Sequence, residues 1–210
     1  MSSHKVWPDK PSDWKELPAF FSQEKIEIGG HVVMWRWAQS YMEELARIAT
    51  RNAGVVLEIG FGFGLSADVI QQQPIERHVI VEMNADVFAR LEDYARTAQR
   101  PIEALSGLWQ EVVPTLPDES FDGILFDAFP ASAEDVEFHF SFFPSAYRLL
   151  KKGGVFTYYS SEETDFSSRH LQRLREAGFS HIAKRLCAVD PAPECLYWQS
   201  NTIIAPIIVK

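Results

Sequence analysis

The chain has 210 residues, 46% hydrophobic and 23% charged, which suits a single globular domain with a sizeable core and a short appendage. A formal net charge of −9 argues against a nucleic-acid binder or a reader of anionic membranes, since both need a basic footprint. No apolar run approaches the ~18 residues of a membrane span. The opening MSSHKVWPDKPSDW lacks the apolar stretch of a secretory signal, and Cys187 and Cys195 are too few for a disulfide framework. They read as reduced thiols, and the expected compartment is the cytoplasm.

Residues 1–30 carry prolines, charges and the aromatics Trp7, Trp14, Phe20 and Phe21, and end in Gly29-Gly30. They read as an irregular or briefly helical arm, or lid, ahead of one domain over 31–210. Residues 32–50 have helical spacing in Met34, Trp37, Tyr41, Leu45 and Ile48, and Gly54 stops that helix. A strand over 55–59 follows, interrupted in its apolar run only by Glu58. Next come a helix over 65–72, a strand over 78–82, a helix over 86–99 and strands over 102–105 and 121–126. A helix over 134–150 ends in Lys151-Lys152-Gly153-Gly154, with cations at its C-terminus and glycines beyond. The strand 155–159, the helix 167–177 and two late strands over 181–189 and 201–209 finish the chain. Strands alternating with helices predict an α/β fold: a doubly wound, mostly parallel Rossmann-like sheet, closed by an antiparallel C-terminal hairpin.

In such a sheet a ligand lies beyond the C-terminal strand ends. There the chain reads E-x-G-x-G-x-G, with Glu58 ahead of Gly60, Gly62 and Gly64 and with Phe61 and Phe63 between them. The glycines permit a tight turn and close backbone approach. This is not the G-x-G-x-x-G turn that faces a pyrophosphate in a nicotinamide oxidoreductase, and an acid at Glu58 would repel one. An acid there suits an ammonium or sulfonium. Glu82 ends the next strand, twenty-two positions after Gly60, where a carboxylate can accept both hydroxyls of a ribose. Glycine loop, acid before it and acid after it together resemble the S-adenosyl-L-methionine site of class I methyltransferases.

The segments VVMWRWAQSYM (32–42), VLEIGFGFG (56–64), GLWQEVVPTLPDESFDGILFDAFP (107–130), YRLLKKGG (147–154), EAGF (176–179) and PAPECLYW (191–198) are similar to segments of guanidinoacetate N-methyltransferase. The resemblance covers roughly 32–210, and its family includes relatives that methylate arginine and other guanidino compounds. It implies an enzyme with S-adenosylmethionine as cofactor, lined by Met34, Met42, Glu58 to Gly64, Glu82, Met83, Gly107 and Leu108. It also implies a small-molecule acceptor held by Asp127, and Trp14 as counterpart of the tryptophan with which the family's arm covers the cofactor. Read alone, the two methionines fit a helix core equally well.

Asp127 follows the apolar GILF and emerges at the C-terminal edge of the sheet, where its structural alternative is a turn or N-cap aspartate. In the resembling family the matching aspartate holds the guanidinium. A guanidinium has a pKa near 12.5–13.8 and no free lone pair, so a nitrogen must shed a proton as it attacks a methyl group. A carboxylate can pair with the cation, aim one nitrogen and take that proton. The family's second substrate acid is absent: Ala38 stands in its place. Glu162 and Glu163, past the fifth strand, are either a compensating pair or solvated loop acids. An amine, hydroxyl or carboxyl acceptor therefore stays open beside a guanidino one. The histidines are scattered, with His139, on the helix after Asp127, reading as helix surface or as an edge of the pocket, and no cluster has metal-ligand spacing. A non-catalytic binding module would be expected to lose Asp127. The expected oligomeric state is a monomer or homodimer.

Overall fold

The computed structural model describes residues 10–130 and 138–210. After a 3-10 helix at Pro11–Lys15, the strands β1 (Ala19–Phe21), β2 (Lys25–Ile28) and β3 (His31–Trp35) form a small antiparallel sheet. A second 3-10 turn, Arg36–Ala38, leads into helix α1 (Gln39–Ala49). The main body then alternates: β4 (Gly54–Ile59), α2 (Leu65–Gln71), β5 (Ile75–Glu82), α3 (Ala85–Ala95), β6 (Ile102–Ser106), α4 (Trp109–Val112), β7 (Phe121–Phe126), α5 (Phe138–Leu149), β8 (Leu150–Tyr158), α6 (Ser168–Glu176), β9 (His181–Ala188) and β10 (Thr202–Val209).

The seven-stranded sheet has the order β6-β5-β4-β7-β8-β10-β9. Its first five strands are parallel, and β10 runs antiparallel to both β8 and β9. The doubly wound sheet with a closing hairpin is therefore as the sequence predicts. Because side chains alternate across a strand, each strand feeds two cores. Val56, Ile80 and Leu125 join α1, α2 and α3 on one face. Leu57, Val79, Val81, Ile124 and Phe126 join α5 and α6 on the other. β7 and α1 approach so closely that a Cβ on Gly123 would run into the Ala49 carbonyl. Among the described residues no helix is long and apolar enough to cross a membrane, and both cysteines are free.

The lead-in departs from the expectation. The segment taken for an irregular arm contributes two strands, and the helix expected over 32–50 begins only at Gln39. Met34, Trp37 and Tyr41 do fall at helical spacing, but Met34 sits on β3. There Val32 and Val33 suit a pleated strand and β2 supplies backbone partners, so pairing overrides the periodicity. The expected start of the helix at 134–137 lies outside the described residues.

The small sheet is tied to the start of α3. Asn84 caps that helix, its Oδ1 accepting from the backbone N–H groups of Asp86 and Val87. Its Nδ2 donates to the carbonyls of Trp14 and Leu17, at 2.9 and 2.8 Å. The Ala19 N–H donates to Asp86 Oδ2 at 2.8 Å, and the Arg90 guanidinium stacks 3.4 Å from the centre of the Phe21 ring. Asn84→Ala removes a cap and leaves two carbonyls without their donor, a loss of about 1–3 kcal/mol. Hydrogen exchange should then quicken over 14–28 while β4, β5 and β7 keep their protection. Unchanged exchange in that segment would contradict this anchoring role.

Candidate functional site

The loop after β4 is shaped by what crowds it. The Gly60 N–H donates to the Val81 carbonyl at 2.8 Å, and the Asp127 N–H donates to the Ile59 carbonyl at 2.9 Å, so the strand end is paired on both sides. Gly60 has φ +91°, and a Cβ there would strike the Asp127 carbonyl. Gly62 has φ +53°, and its missing Cβ is where the Met34 sulfur lies. That sulfur also receives the Phe63 N–H at 3.4 Å. The glycines thus bring the ends of β4 and β7 and the small sheet together, besides leaving room for a ligand.

Three carboxylates sit at or near the ends of adjacent strands. Glu58 is fully buried and points behind the loop. It accepts a hydrogen bond from the Ser66 hydroxyl on α2, and its other oxygen lies 3.0 Å from His78 Nε2 on β5. Glu82, also buried, accepts the Phe61 N–H at 3.0 Å through one oxygen and the Asn84 N–H at 2.8 Å through the other. Burial raises its pKa, and these backbone donors pull it back down. Asp127 is different. Its side chain is partly open to the cleft and otherwise enclosed, and burial together with the nearby Glu58 charge pushes its pKa up to about 7.

These ends open into a cleft of ≈ 800 Å³ including its mouth, well within the range of cofactor sites. Of the residues expected at the site, Met34, Gly60, Phe61, Gly62 and Glu82 line it. So do Met83, Gly107, Leu108 and Asp127. Gly107 is held to β5 by its N–H, which donates to the Glu82 carbonyl at 3.0 Å. Others stand back. Met42 and Ala38 are buried in the core, Phe63 lies under the Arg36 guanidinium at 4.4 Å, and Gly64 opens α2. Trp14 is fully buried behind the cleft wall, edge-on to His31 and Phe129 at 5.6 and 5.4 Å. Glu162 faces away, accepting from the Ser167 N–H at 3.0 Å, with His170 Nδ1 at 3.1 Å. Glu163 is exposed. His139 is not surface: it is buried on the opposite face of the sheet, 5.8 Å from the Tyr158 ring, and burial followed by the neighbouring His170 lowers its pKa to about 3.

The sequence reading missed several lining residues. Ile28 and Val33 come from the small sheet, Trp109 and Gln110 from α4, and Phe129 from the loop after β7. The alternation of KIEI over 25–28 was the available signal for the first.

The family described as guanidinoacetate N-methyltransferase matches residues 5–210. The chain belongs to that family. Its members are methyltransferases that use S-adenosylmethionine, and this is the chain's cofactor. Among curated relatives, protein arginine N-methyltransferase 2 of Kluyveromyces lactis is 30% identical over 140 residues, 63% of this chain and 34% of that protein. The Saccharomyces cerevisiae protein of that name is 29% identical over 143 residues, 64% of this chain and 34% of its own length. The chain thus spans about a third of the length of these relatives. Among solved structures, spermidine synthase from Thermotoga maritima aligns with a TM-score of 0.63 at 17% identity, covering 91% of this chain and 72% of that one. An S-adenosylmethionine-dependent methyltransferase from Archaeoglobus fulgidus aligns at 0.57 and 14%, covering 82% and 94%. At these identities the likeness shows the class I methyltransferase fold.

The residues present fit that cofactor. Gly60 and Gly62 bring backbone rather than side chain to the cleft wall, and the buried Glu82 carboxylate lies on that wall beside them. The acidic strand ends favour a cation over a pyrophosphate. Glu82→Ala is expected to weaken S-adenosylmethionine binding by about 1–3 kcal/mol, through lost ligand contacts and a loosened Phe61 N–H. Calorimetry measures this directly, and unchanged affinity would mean that Glu82 does not hold the cofactor.

Proposed function

We propose that this protein methylates a nitrogen of a small guanidino compound, with Asp127 pairing with the guanidinium, aiming one nitrogen and accepting its proton. The observation that carries the reading is Asp127 itself. It is a carboxylate on the wall of the cofactor cleft, beside Gly60, with no hydrogen bond recorded to its side chain among the described residues and a pKa near 7. A base poised near neutral pH is half ready in the free protein. An arriving guanidinium would lower that pKa by direct attraction and secure the ionised form. The curated relatives are named for arginine methylation, which supports a guanidino acceptor.

When bound, S-adenosylmethionine supplies a methyl group on a sulfonium sulfur that departs as a neutral thioether. The work of the chain is placement and proton transfer. Asp127, fixed through its backbone N–H to Ile59, holds the acceptor nitrogen at the strand ends. The carboxylate takes the proton that the nitrogen releases as its bond to carbon forms. With Ala38 in place of a second acid, one carboxylate balances the guanidinium. This favours an acceptor larger than guanidinoacetate, such as arginine or a guanidino natural product.

The sign of the pH dependence follows. A guanidinium stays charged throughout the working range, so of the two groups that exchange the proton it is Asp127 that titrates, and it must be deprotonated to act. kcat/KM for a guanidino acceptor should rise with pH through about 7 and then level. Asp127→Asn should lower turnover by a factor of about 10² or more and remove that rise, with S-adenosylmethionine binding nearly unchanged. A flat profile from acid to mildly alkaline pH, or full activity in Asp127→Asn, would reject the assignment.

A further inference from the structure

Near Asp127, three buried side-chain polar atoms have no hydrogen-bond partner among the described residues: Trp37 Nε1, Tyr159 Oη and Trp198 Nε1. They belong to one aromatic patch. The Tyr159 N–H donates to the Phe126 carbonyl at 3.1 Å, which sets this residue across from the end of β7, one peptide from Asp127. Its ring meets Tyr41 edge-on at 5.4 Å and lies 6.4 Å from Tyr197 and 6.5 Å from Trp198. Tyr197 is in turn 6.4 Å from Trp37, and at 44% exposure it forms the open edge of the patch. The Tyr41 hydroxyl, by contrast, is satisfied, donating to the Ile204 carbonyl at 2.9 Å.

Buried polar groups are normally paired, so a cluster of orphans beside a catalytic carboxylate needs an explanation. An indole N–H can only donate, so the partner that Trp37 and Trp198 lack must be an acceptor. Burial, then the neighbours Tyr197, Tyr41 and Asp127, keep the Tyr159 hydroxyl protonated, so it too can donate. Ala38 follows Trp37 and brings no charge to repel an oxyanion. A guanidinium held on Asp127 would supply the balancing positive charge, and the ring faces suit the planar cation.

We infer that Trp37, Tyr159 and Trp198 form a subsite for an oxygen acceptor on the guanidino substrate, a carboxylate or a peptide carbonyl, while Asp127 holds the guanidinium. The inference rests on the guanidino reading of the cleft. It makes the preferred substrate a guanidino compound that also bears such an oxygen, and makes simple alkylguanidines poor ones.

The test compares arginine, an arginine peptide with a blocked C-terminus, and agmatine, which lacks the oxygen group. Each is measured by methyl transfer from labelled S-adenosylmethionine and by calorimetric binding. Tyr159→Phe keeps its ring and removes one donor, and Trp198→Phe keeps an aromatic side chain, smaller by the pyrrole ring that carried the donor. Wild-type protein should prefer an oxygen-bearing acceptor over agmatine by about tenfold or more, and each variant should raise KM for that acceptor by about tenfold, with kcat and agmatine kinetics little changed. Preference for free arginine assigns the subsite to a carboxylate, and equal or better use of the blocked peptide assigns it to a carbonyl. Agmatine used as well as arginine, or variants that depress all three acceptors alike, would overturn the subsite and leave guanidino methylation standing. No binding or methylation of any of the three would overturn both.

Discussion

Three carboxylates at the ends of neighbouring parallel strands have to be kept out of bulk water without losing their use. Each is handled differently, and the differences organise the cleft. Glu58 is retired into the interior, where the Ser66 hydroxyl ties α2 to it and His78 of β5 lies 3.0 Å from its other oxygen. Glu82 gathers backbone N–H groups from Phe61 and Asn84, so its charge shapes the loop that a cofactor would meet. Among the described residues Asp127 receives no such help, and burial beside Glu58 holds its pKa near 7. The carboxylate with the fewest partners among the described residues is the one that opens to the cleft from the end of β7.

The small sheet extends this arrangement. Ile28, Val33 and Met34 make one wall of the cleft, and Met34 packs against the space left by Gly62. Asn84, two residues beyond Glu82, ties Trp14 and Leu17, just ahead of that sheet, to the start of α3 while capping the helix. One stretch of chain, Glu82 to Asn84, therefore both lines the cleft and anchors the lead-in to the small sheet.

The repeating β-α units were legible because buried parallel strands read as mainly apolar runs set off from helical patterns, with glycine at several of the junctions. The glycine loop, Glu82 and Asp127 were legible because topology alone carries them to the strand ends. The lead-in was not. Its strands are short, Met34, Trp37 and Tyr41 mimic a helix across a strand-to-helix junction, and the ties to Asn84, Asp86 and Arg90 span about seventy residues. The partnership of Glu58 with His78 was equally hidden, since it forms only when β4 and β5 pair. For Glu162 the sequence left a compensating acid and a solvated loop acid both open, because it shows the charge but not that His170 and Ser167 engage it.

The central claim is that the fold holds Asp127 in reserve for a cationic acceptor. Its direct measurement is the carboxyl carbon shift of Asp127 by NMR, titrated against pH with S-adenosylhomocysteine present, with and without arginine. The account predicts a midpoint near 7 in the absence of arginine and a clear downward shift when the guanidinium binds. A midpoint in the ordinary aspartate range near 3.9, indifferent to arginine, would contradict it.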